Sequence, residues 1–385
     1  HEGSLLLAND RFGRHQVYLW SPDREAIFFA CEVKSIVSIA KSRLRLNMRA
    51  IVDFVQFGHL LGDETYFEDV SLLPYASVLR FGREGIQIDR YWSPRRVMGK
   101  SLSRDEYCRR LHKHMSTAVA RATDFAGCKA GAQLSGGLDT RSIVVHLPHY
   151  EEKVHSFTIE TPDEAKMSED VRLAKAVAAE RKLVHHSIPI TSNILPDLGP
   201  MSILILEAND SITTSQNMAM LAEAERSGVN VLVTGNGSYV LTQLLPYPPF
   251  ILALISVPYL GTLLLRVLRK SVPTGAKCYF SMRRLLHGLK EAEILETLSD
   301  SFSHQAETMV GESLRRVIRE ATQNCRTLLD MATYMWLTQH FRRLVVNAQN
   351  VCRWRIETVD PFMDYDLVDF GLTLPDKYKI WKRLI

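Results

Sequence analysis

The sequence predicts an α/β domain with a parallel sheet, preceded by a β-rich N-terminal layer of the α+β type and followed by a mostly helical C-terminal part. In the N-terminal quarter, short runs of β-branched, aromatic and alternating residues are typical of strands. After Ser103, strand-like runs alternate with amphipathic helical stretches, which predicts a parallel sheet with helices on both faces. Because Ser93–Lys100 is polar and contains a proline, we place a linker there and divide the chain into domains 1–97 and 98–385.

The individual elements follow from the same patterns. In the first domain, we predict strands at Ser4–Ala8, Gln16–Trp20 and Ala26–Cys31, a helix at Leu46–Phe57, and a hairpin of Ser77–Phe81 with Gly85–Tyr91. In the second domain, we predict helices at Arg104–Thr123, Ser168–Arg181 and Gln216–Ser227, and strands at Val154–Ile159, Val184–Ile188 and Asn230–Thr234. Beyond Pro273 the pattern is mostly helical.

Bulk composition excludes several classes of protein. The chain has 385 residues, of which 46% are hydrophobic and 23% charged, as is ordinary for a globular protein. Its 47 basic and 43 acidic residues give a net charge of +4, a balance too even to predict a nucleic-acid partner. Six cysteines without a CxxC pair indicate a reducing compartment, and therefore a cytoplasmic location, rather than a zinc site or a disulfide framework.

One segment complicates this picture. No charged residue occurs from Ser227 to Leu265, and Phe250–Leu265 is almost wholly apolar. A membrane-spanning helix needs about 20 apolar residues, and Pro258 and Gly261 interrupt this run. We interpret it as a buried helical hairpin or a partner-binding surface. Peripheral membrane contact is a less favoured alternative, since basic residues follow directly.

The segment Leu134–Thr140, Leu-Ser-Gly-Gly-Leu-Asp-Thr, carries the strongest functional signal. It follows a short apolar strand and opens a helix. Two adjacent glycines allow a ligand to approach the backbone, and a helix N-terminus directs unpaired N–H groups toward an anion such as a phosphate chain. Ser135 and Thr140 add hydroxyl groups, and the Asp139 carboxylate suits Mg²⁺. The alternative is a turn whose glycines serve geometry alone. The usual ATPase loop is excluded because no Gly-Lys-Ser/Thr follows.

This loop resembles the pyrophosphate loop, SGGxDS, of enzymes that split ATP into AMP and pyrophosphate. Other segments, in matching order, resemble the glutamine-hydrolysing asparagine synthetase family. They are Asp10–Tyr18 (DRFGxRPLYY in the family), Phe29–Lys34 (FASExK), Gly62–Pro74 (GDxTxFxGVxxLPPG), Ser168–Ala178 (DExxxAxxVA) and Glu357–Asp364 (ExRxPFLD). The resemblance covers nearly the whole chain.

The resemblance implies a fold, a reaction and a set of site residues. The fold is a partial glutaminase-type layer, N-terminal nucleophile hydrolase-like, followed by an adenine-nucleotide alpha-hydrolase-like domain. The reaction activates aspartate or a related carboxylic acid with ATP as an acyl-adenylate, and amidates it with ammonia from glutamine. The expected ATP contacts are Leu134, Ser135, Gly136, Gly137, Asp139, Thr140, Ile159, Thr234 and Gly235. Asp139 is the expected Mg²⁺ ligand, and catalysis is assigned to Asp139 and the altered position Asn236. A homodimer is a further expectation.

The second phosphate-side motif of the family, SGEGxDE, is altered in this chain. It reads Thr234-Gly235-Asn236-Gly237-Ser238-Tyr239-Val240, so that three family acids are replaced by Asn236, Tyr239 and Val240. Fewer carboxylates predict weaker Mg²⁺ retention and slower adenylate formation. Two alternatives therefore stay open. One is a catalytically degenerate binding or scaffold protein, and the other is an enzyme that closes or amidates another carboxylate, in a lactam, peptide or saccharide.

We expect the sequence to be a fragment that lacks both extreme ends of the family's chain. The glutaminase nucleophile of the family is an N-terminal cysteine, and the sequence begins instead with His1-Glu2-Gly3. None of the six cysteines takes that role, and Cys31 lies at the end of a predicted strand. We therefore expect this 385-residue chain to show no glutaminase activity.

Overall fold

Strands and helices alternate along the chain in the computed structural model, which describes residues 4–23, 25–97, 102–147, 154–160, 165–241 and 300–379. The strands are β1 (Leu5–Ala8), β2 (Tyr18–Trp20), β3 (Phe28–Ala30), β4 (Val70–Leu72), β5 (Ser77–Gly82), β6 (Gly85–Arg90), β7 (Ala130–Gln133), β8 (His155–Glu160), β9 (Val184–Pro189), β10 (Val231–Val233) and β11 (Glu357–Val359). The helices are α1 (Val33–Ala40), α2 (Met48–Phe57), α3 (Arg104–Thr123), α4 (Leu138–His146), α5 (Ala165–Glu180), α6 (Ile194–Leu206), α7 (Gln216–Arg226), α8 (Asp300–Asn324), α9 (Leu328–Met335), α10 (Val346–Arg353), α11 (Tyr365–Thr373) and α12 (Asp376–Lys379).

These elements form two compact units. The first comprises His1–Arg96 with Leu245–Val346, and the second comprises Val97–Leu244 with Asn347–Ile385. The first unit thus includes helices from beyond residue 97, the boundary that we predicted from the linker. The domain limits 1–97 and 98–385 stay a prediction.

The first unit contains two antiparallel sheets of three strands each, in the orders β1-β5-β6 and β3-β2-β4. The predicted strands and hairpin are confirmed, and β4 is an additional strand that we did not predict. The predicted helix at 46–57 begins at Met48 because the side chain of Asn47 caps it, accepting a hydrogen bond from the Ala50 backbone N–H at 3.2 Å. It ends at Gly58, whose φ of 69° only glycine adopts readily.

A π-helix, Trp336–Val345, follows α9 and carries two buried arginines. Arg342 pairs with Asp63 and donates a hydrogen bond to the Leu73 carbonyl at 2.8 Å. Arg343 donates to the Glu64 carbonyl at 2.8 Å, and burial, together with the neighbouring charge of Arg342, lowers its pKa to about 10. The π-helix thereby fixes the segment that resembles the family's GDxTxF sequence.

The second unit is built on a five-stranded parallel sheet in the order β11-β10-β7-β8-β9. One face packs against α3, α4, α5 and α11, around Leu134, Val144 and Phe370. The other face packs against α6, α7 and α10, around Phe157 and Leu232. The predicted parallel sheet with helices on both faces is confirmed. In such sheets ligands bind beyond the carboxyl ends of the strands.

Two features of the sequence fall partly or wholly outside the described residues. The apolar segment Phe250–Leu265 lies there, so its predicted role stays a prediction. Within the described part of the chain, no helix combines the length and apolar character that crossing a membrane requires. Of the region beyond Pro273, the structure describes residues 300–379, and these are mostly helical, as predicted.

Candidate functional site

The loop 134–140 lies at the carboxyl end of the central strand β7, where the sequence analysis places it. Leu134 is 1% exposed, and its backbone N–H donates to the Phe157 carbonyl at 2.9 Å, which extends the pairing of β7 with β8 by one residue. The chain then leaves the sheet at Ser135 and enters α4 at Leu138. The loop is therefore anchored in the core on one side and in a helix on the other.

The two hydroxyl groups of the loop bind mainly to the loop itself. The Ser135 backbone N–H donates to the Thr140 Oγ1 at 3.0 Å, and the two hydroxyl oxygens are 3.1 Å apart. The Gly137 backbone N–H donates to the Ser135 Oγ at 3.2 Å. These bonds fold the loop into a closed turn. The structure therefore gives the hydroxyl groups a role in loop geometry, while their predicted contact with ATP stays a prediction.

The two glycines serve different purposes. A Cβ on Gly136 would lie 2.7 Å from the Asp170 Cα on α5, so the close approach of this helix requires glycine. Gly137 is exposed and is the N-cap residue of α4. Because glycine has no side chain, no side-chain hydrogen bond caps this helix. The first-turn N–H groups of α4 are thus not taken by an N-cap side chain, which suits an anion. Asp139 lies in this first turn and is half-buried.

The second glycine-rich loop, Thr234–Val240, adjoins the first. A Cβ on Gly235 would lie 2.7 Å from the Thr140 Cγ2 and 3.1 Å from its backbone nitrogen, so the two loops touch. Gly237, with φ of 99°, packs against Met363 and Phe362. The structure thus brings the predicted residues of both loops together at one edge of the sheet.

The three altered positions of the second loop have different surroundings. Asn236 is half-buried, and its Nδ2 donates to the Thr234 Oγ1 at 2.9 Å. Tyr239 is also half-buried. Val240 is fully buried and packs against Gly371. A Cβ added to Gly371 would lie 2.8 Å from the Val240 Cγ1. An acid at position 240 would therefore enter the core in this fold.

Ile159, near the end of β8, is partly buried against the cluster around Phe157 and Ile188. Packing in the sheet core explains its position by itself, so the predicted contact with adenine stays a prediction. At the end of the chain, Asp364 caps α11 and binds Arg121 at 3.0 Å. Its carboxylate thus has a structural role at the start of this helix.

Asp360 lies beside the second loop and was not among the predicted site residues. It follows β11, is 4% exposed, and accepts hydrogen bonds from the Thr234 hydroxyl and from the Gln349 Nε2, the latter at 2.7 Å. It occupies a variable position of the segment that resembles ExRxPFLD. Its position could have been predicted from an acidic residue directly after a short strand, because the carboxyl ends of parallel strands meet at one edge of the sheet.

A separate cavity of about 200 Å³ lies between α3 and α4 in the second unit. Its walls are mostly apolar, and His112 Nδ1 lies 3.0 Å from His146 Nε2. Burial lowers the pKa of His146, which favours the neutral imidazole. Ligand pockets usually exceed about 300 Å³. The cavity is therefore too small for a nucleotide, and the sheet edge where the two loops meet stays the candidate ATP site.

Comparison with known families agrees with this architecture. A family model described as asparagine synthase matches residues 110–384, and one described as a glutamine amidotransferase domain matches residues 1–92. The chain belongs to the asparagine synthase family. Its fold is thus an N-terminal domain of the glutamine amidotransferase type followed by an α/β domain with a parallel sheet, which confirms the predicted fold class. No curated protein is similar enough to count as a match.

Several solved structures show weaker similarity. The NMN synthetase from Francisella tularensis is 13% identical with a TM-score of 0.27, over 37% of this chain and 58% of its own. The U34-tRNA thiolase from Methanococcus maripaludis is 10% identical with a TM-score of 0.29, over 64% of this chain and 85% of its own. The glutamine-dependent NAD+ synthetase from Acinetobacter baumannii, in complex with ADP, is 14% identical with a TM-score of 0.26, over 74% of this chain and 66% of its own. The chain thus spans less than two thirds of the first of these proteins, and similarity this low has no bearing on its function.

Proposed function

We propose that this chain is part of an ATP-dependent amidotransferase of the asparagine synthase family, which activates a carboxylate and amidates it with ammonia from glutamine. The observation that carries the proposal is the contact between the two glycine-rich loops at the carboxyl edge of the sheet. One of them continues into a helix whose N-terminus lacks a capping side chain. This arrangement suits the phosphates of a nucleotide.

The proposed roles follow from the positions of the residues. Backbone N–H groups of the loop from Ser135 to the start of α4 would bind the phosphates, and Leu134 and Ile159 would border the adenine. Thr234 and Gly235 would line the opposite side of the site. Asp139, in the first turn of α4, would hold Mg²⁺, which supplies charge neutralisation at the phosphates.

The chemistry requires activation because a carboxylate is a poor electrophile. A carboxylate oxygen of the substrate attacks the α-phosphorus of ATP, and the bond to pyrophosphate breaks. Ammonia then attacks the acyl carbon, the bond to the AMP oxygen breaks, and the amide forms with loss of one proton. Backbone N–H groups aimed at the phosphates stabilise the charge that develops there.

Asp139→Ala tests the nucleotide site. We expect the Kd for Mg·ATP, measured by calorimetry, to rise roughly tenfold or more, equivalent to about 1.4 kcal/mol, because a hard cation loses an oxygen ligand. Loss of an acid from the first turn of α4 should cost below about 1 kcal/mol of unfolding free energy. Asp105→Ala is the matched control, since Asp105 is an exposed acid in the first turn of α3. Equal affinities in the two variants would contradict the proposal.

The acceptor acid is tested by pyrophosphate release. We expect slow release with aspartate, because Asn236, Tyr239 and Val240 replace three acids of the family. A panel of carboxylic acids, including amino acids, peptides and uronic acids, would identify a faster substrate. Rapid release with aspartate would contradict the expectation.

The same three replacements support a second candidate, a nucleotide-binding protein without ligase activity. Mg·ATP binding without pyrophosphate release across the whole panel would favour it. The homodimer stays a prediction, as does the cytoplasmic location.

A further inference from the structure

A chain of hydrogen bonds runs behind the second glycine-rich loop. Arg353 Nη2 donates to Gln349 Oε1 at 3.3 Å, which turns the Gln349 amide nitrogen toward Asp360. Gln349 Nε2 donates to Asp360 Oδ1 at 2.7 Å, and the Thr234 hydroxyl donates to the same oxygen. The Thr234 Oγ1 in turn lies 2.9 Å from Asn236 Nδ2 and 3.3 Å from the Asn236 backbone nitrogen.

The Thr234 hydroxyl has one proton and two lone pairs, and all three are used. Its proton goes to Asp360 Oδ1, which accepts the hydrogen bond. Its lone pairs accept from the backbone N–H and the side-chain amide of Asn236. If the Asn236 amide were reversed, its oxygen would face the Thr234 Oγ1, whose only proton is already donated to Asp360, and no hydrogen bond could form. The count of donors therefore fixes the orientation of Asn236.

We infer that Asp360 is a positioning residue behind the second loop, and that it acts on the site through Thr234 and Asn236. The acid lies behind the Thr234 hydroxyl, and the loop itself carries the neutral amide of Asn236. Asn236 and Asp360 form a complementary pair, since only one of the two positions can carry a carboxylate. The part of this inference that concerns nucleotide binding rests on the proposed function.

This complementarity changes what an acid at position 236 would do. Asn236→Asp would place two carboxylates around one hydroxyl that has a single proton, and one of them would lose its hydrogen bond in a largely buried setting. Adding Asp360→Asn to this variant leaves one carboxylate for the single proton of the Thr234 hydroxyl. Thr234 would then donate to the acid at 236. The amide nitrogen at 360, in the place of Oδ1, would donate one proton to Thr234 and the other to the Gln349 oxygen, once the Gln349 amide turns over and gives up its 3.3 Å bond from Arg353.

The experiment is a double-mutant cycle of Asn236→Asp and Asp360→Asn in the full chain, read by thermal unfolding and by Mg·ATP calorimetry. We expect Asn236→Asp to lower the unfolding midpoint and raise the Kd roughly tenfold. The double variant should recover most of the lost midpoint, short only of the Arg353–Gln349 bond, and a Kd within about threefold of that of the native chain. Asn193→Asp, the same substitution at the exposed N-cap of α6, where no capping hydrogen bond is lost, should leave both readouts unchanged.

Each outcome decides one question. If the double variant is no more stable than Asn236→Asp, or if the two effects simply add, the pair is not complementary and the inference is overturned. If the unfolding data show the coupling while the native chain binds no Mg·ATP, the proposed function fails and the hydrogen-bond pair stands. If Mg·ATP binds to every variant with equal affinity, Asp360 stabilises the fold without positioning the site, and the inference is likewise overturned.

Discussion

Gly136→Ala is expected to abolish detectable Mg·ATP binding. The added Cβ would lie 2.7 Å from the Asp170 Cα, and because this neighbour is backbone it cannot turn aside. Either the loop or α5 must move, at a cost of about 3 kcal/mol, the upper end of what overpacking usually causes. Displacement of the loop by an ångström would also break the hydrogen bonds between Ser135 and Thr140. Calorimetry with Mg·ATP and thermal unfolding measure the two effects.

Gly137→Ala is the matched control in the same loop. Its Cβ would lie 3.2 Å from the Ser135 Oγ, a hydroxyl that can rotate, and its φ of −67° is open to any residue. We expect an unfolding cost of about 1 kcal/mol or less and only a modest loss of affinity. If both alanine variants bind Mg·ATP equally well, the close approach of α5 is not what holds the loop in its binding shape.

Asp53→Asn is expected to stabilise the protein at alkaline pH. Asp53 lies on α2 with no exposed surface, and burial raises the pKa of its carboxyl to about 7, with a further contribution from the charge of Glu64. Ser313 and the charges of Arg316 and Arg49 oppose this shift without cancelling it. The carboxylate is therefore a destabilising group in the native state.

The sign of the pH dependence follows from proton binding. Between about pH 4 and pH 7 the unfolded chain releases the Asp53 proton while the folded chain retains it, so stability falls as the pH rises through this range. A shift of this size corresponds to at most about 4 kcal/mol. The asparagine variant should recover up to that amount at pH 8 and nothing below pH 4. Asp69→Asn, at an exposed position, should show neither effect. A variant whose advantage is the same at both pH values would refute the assignment.

Much of the fold could be predicted because local patterns determine it. The helix Arg104–Thr123 was predicted with both ends correct, since Ser103 caps it and its apolar residues recur at helical spacing. The elements that were not predicted include β11 and α6. The strand β11 has only three residues, and α6 contains Pro200 and a nearly continuous apolar run without clear periodicity. Pairing with β10 defines the first, and packing against the sheet defines the second.

The candidate site divides in the same way. The loop Leu134–Thr140 could be predicted because its strand, glycines and helix are consecutive in sequence. Asp360 could not, because its bond to Thr234 joins residues 126 positions apart. Asp170 is likewise brought beside Gly136 by the packing of α5 on the sheet. The residues proposed to contact the ligand could thus be predicted from the sequence, whereas Asp360 and Asp170, which pack against the two loops, could not.

The π-helix has a consequence for how the protein is made. Its arginines complete the first unit by binding Asp63, Leu73 and Glu64, and α8 covers Phe57 and Leu61. A ribosome synthesises the two antiparallel sheets long before it reaches residue 346. Domains usually fold in the order in which they emerge. We expect this unit to be an exception, because its early strands keep apolar surface uncovered while Val97–Leu244, which belongs to the second unit, is added before α8 and the π-helix. During that interval the nascent chain is most exposed to aggregation and to chaperone binding.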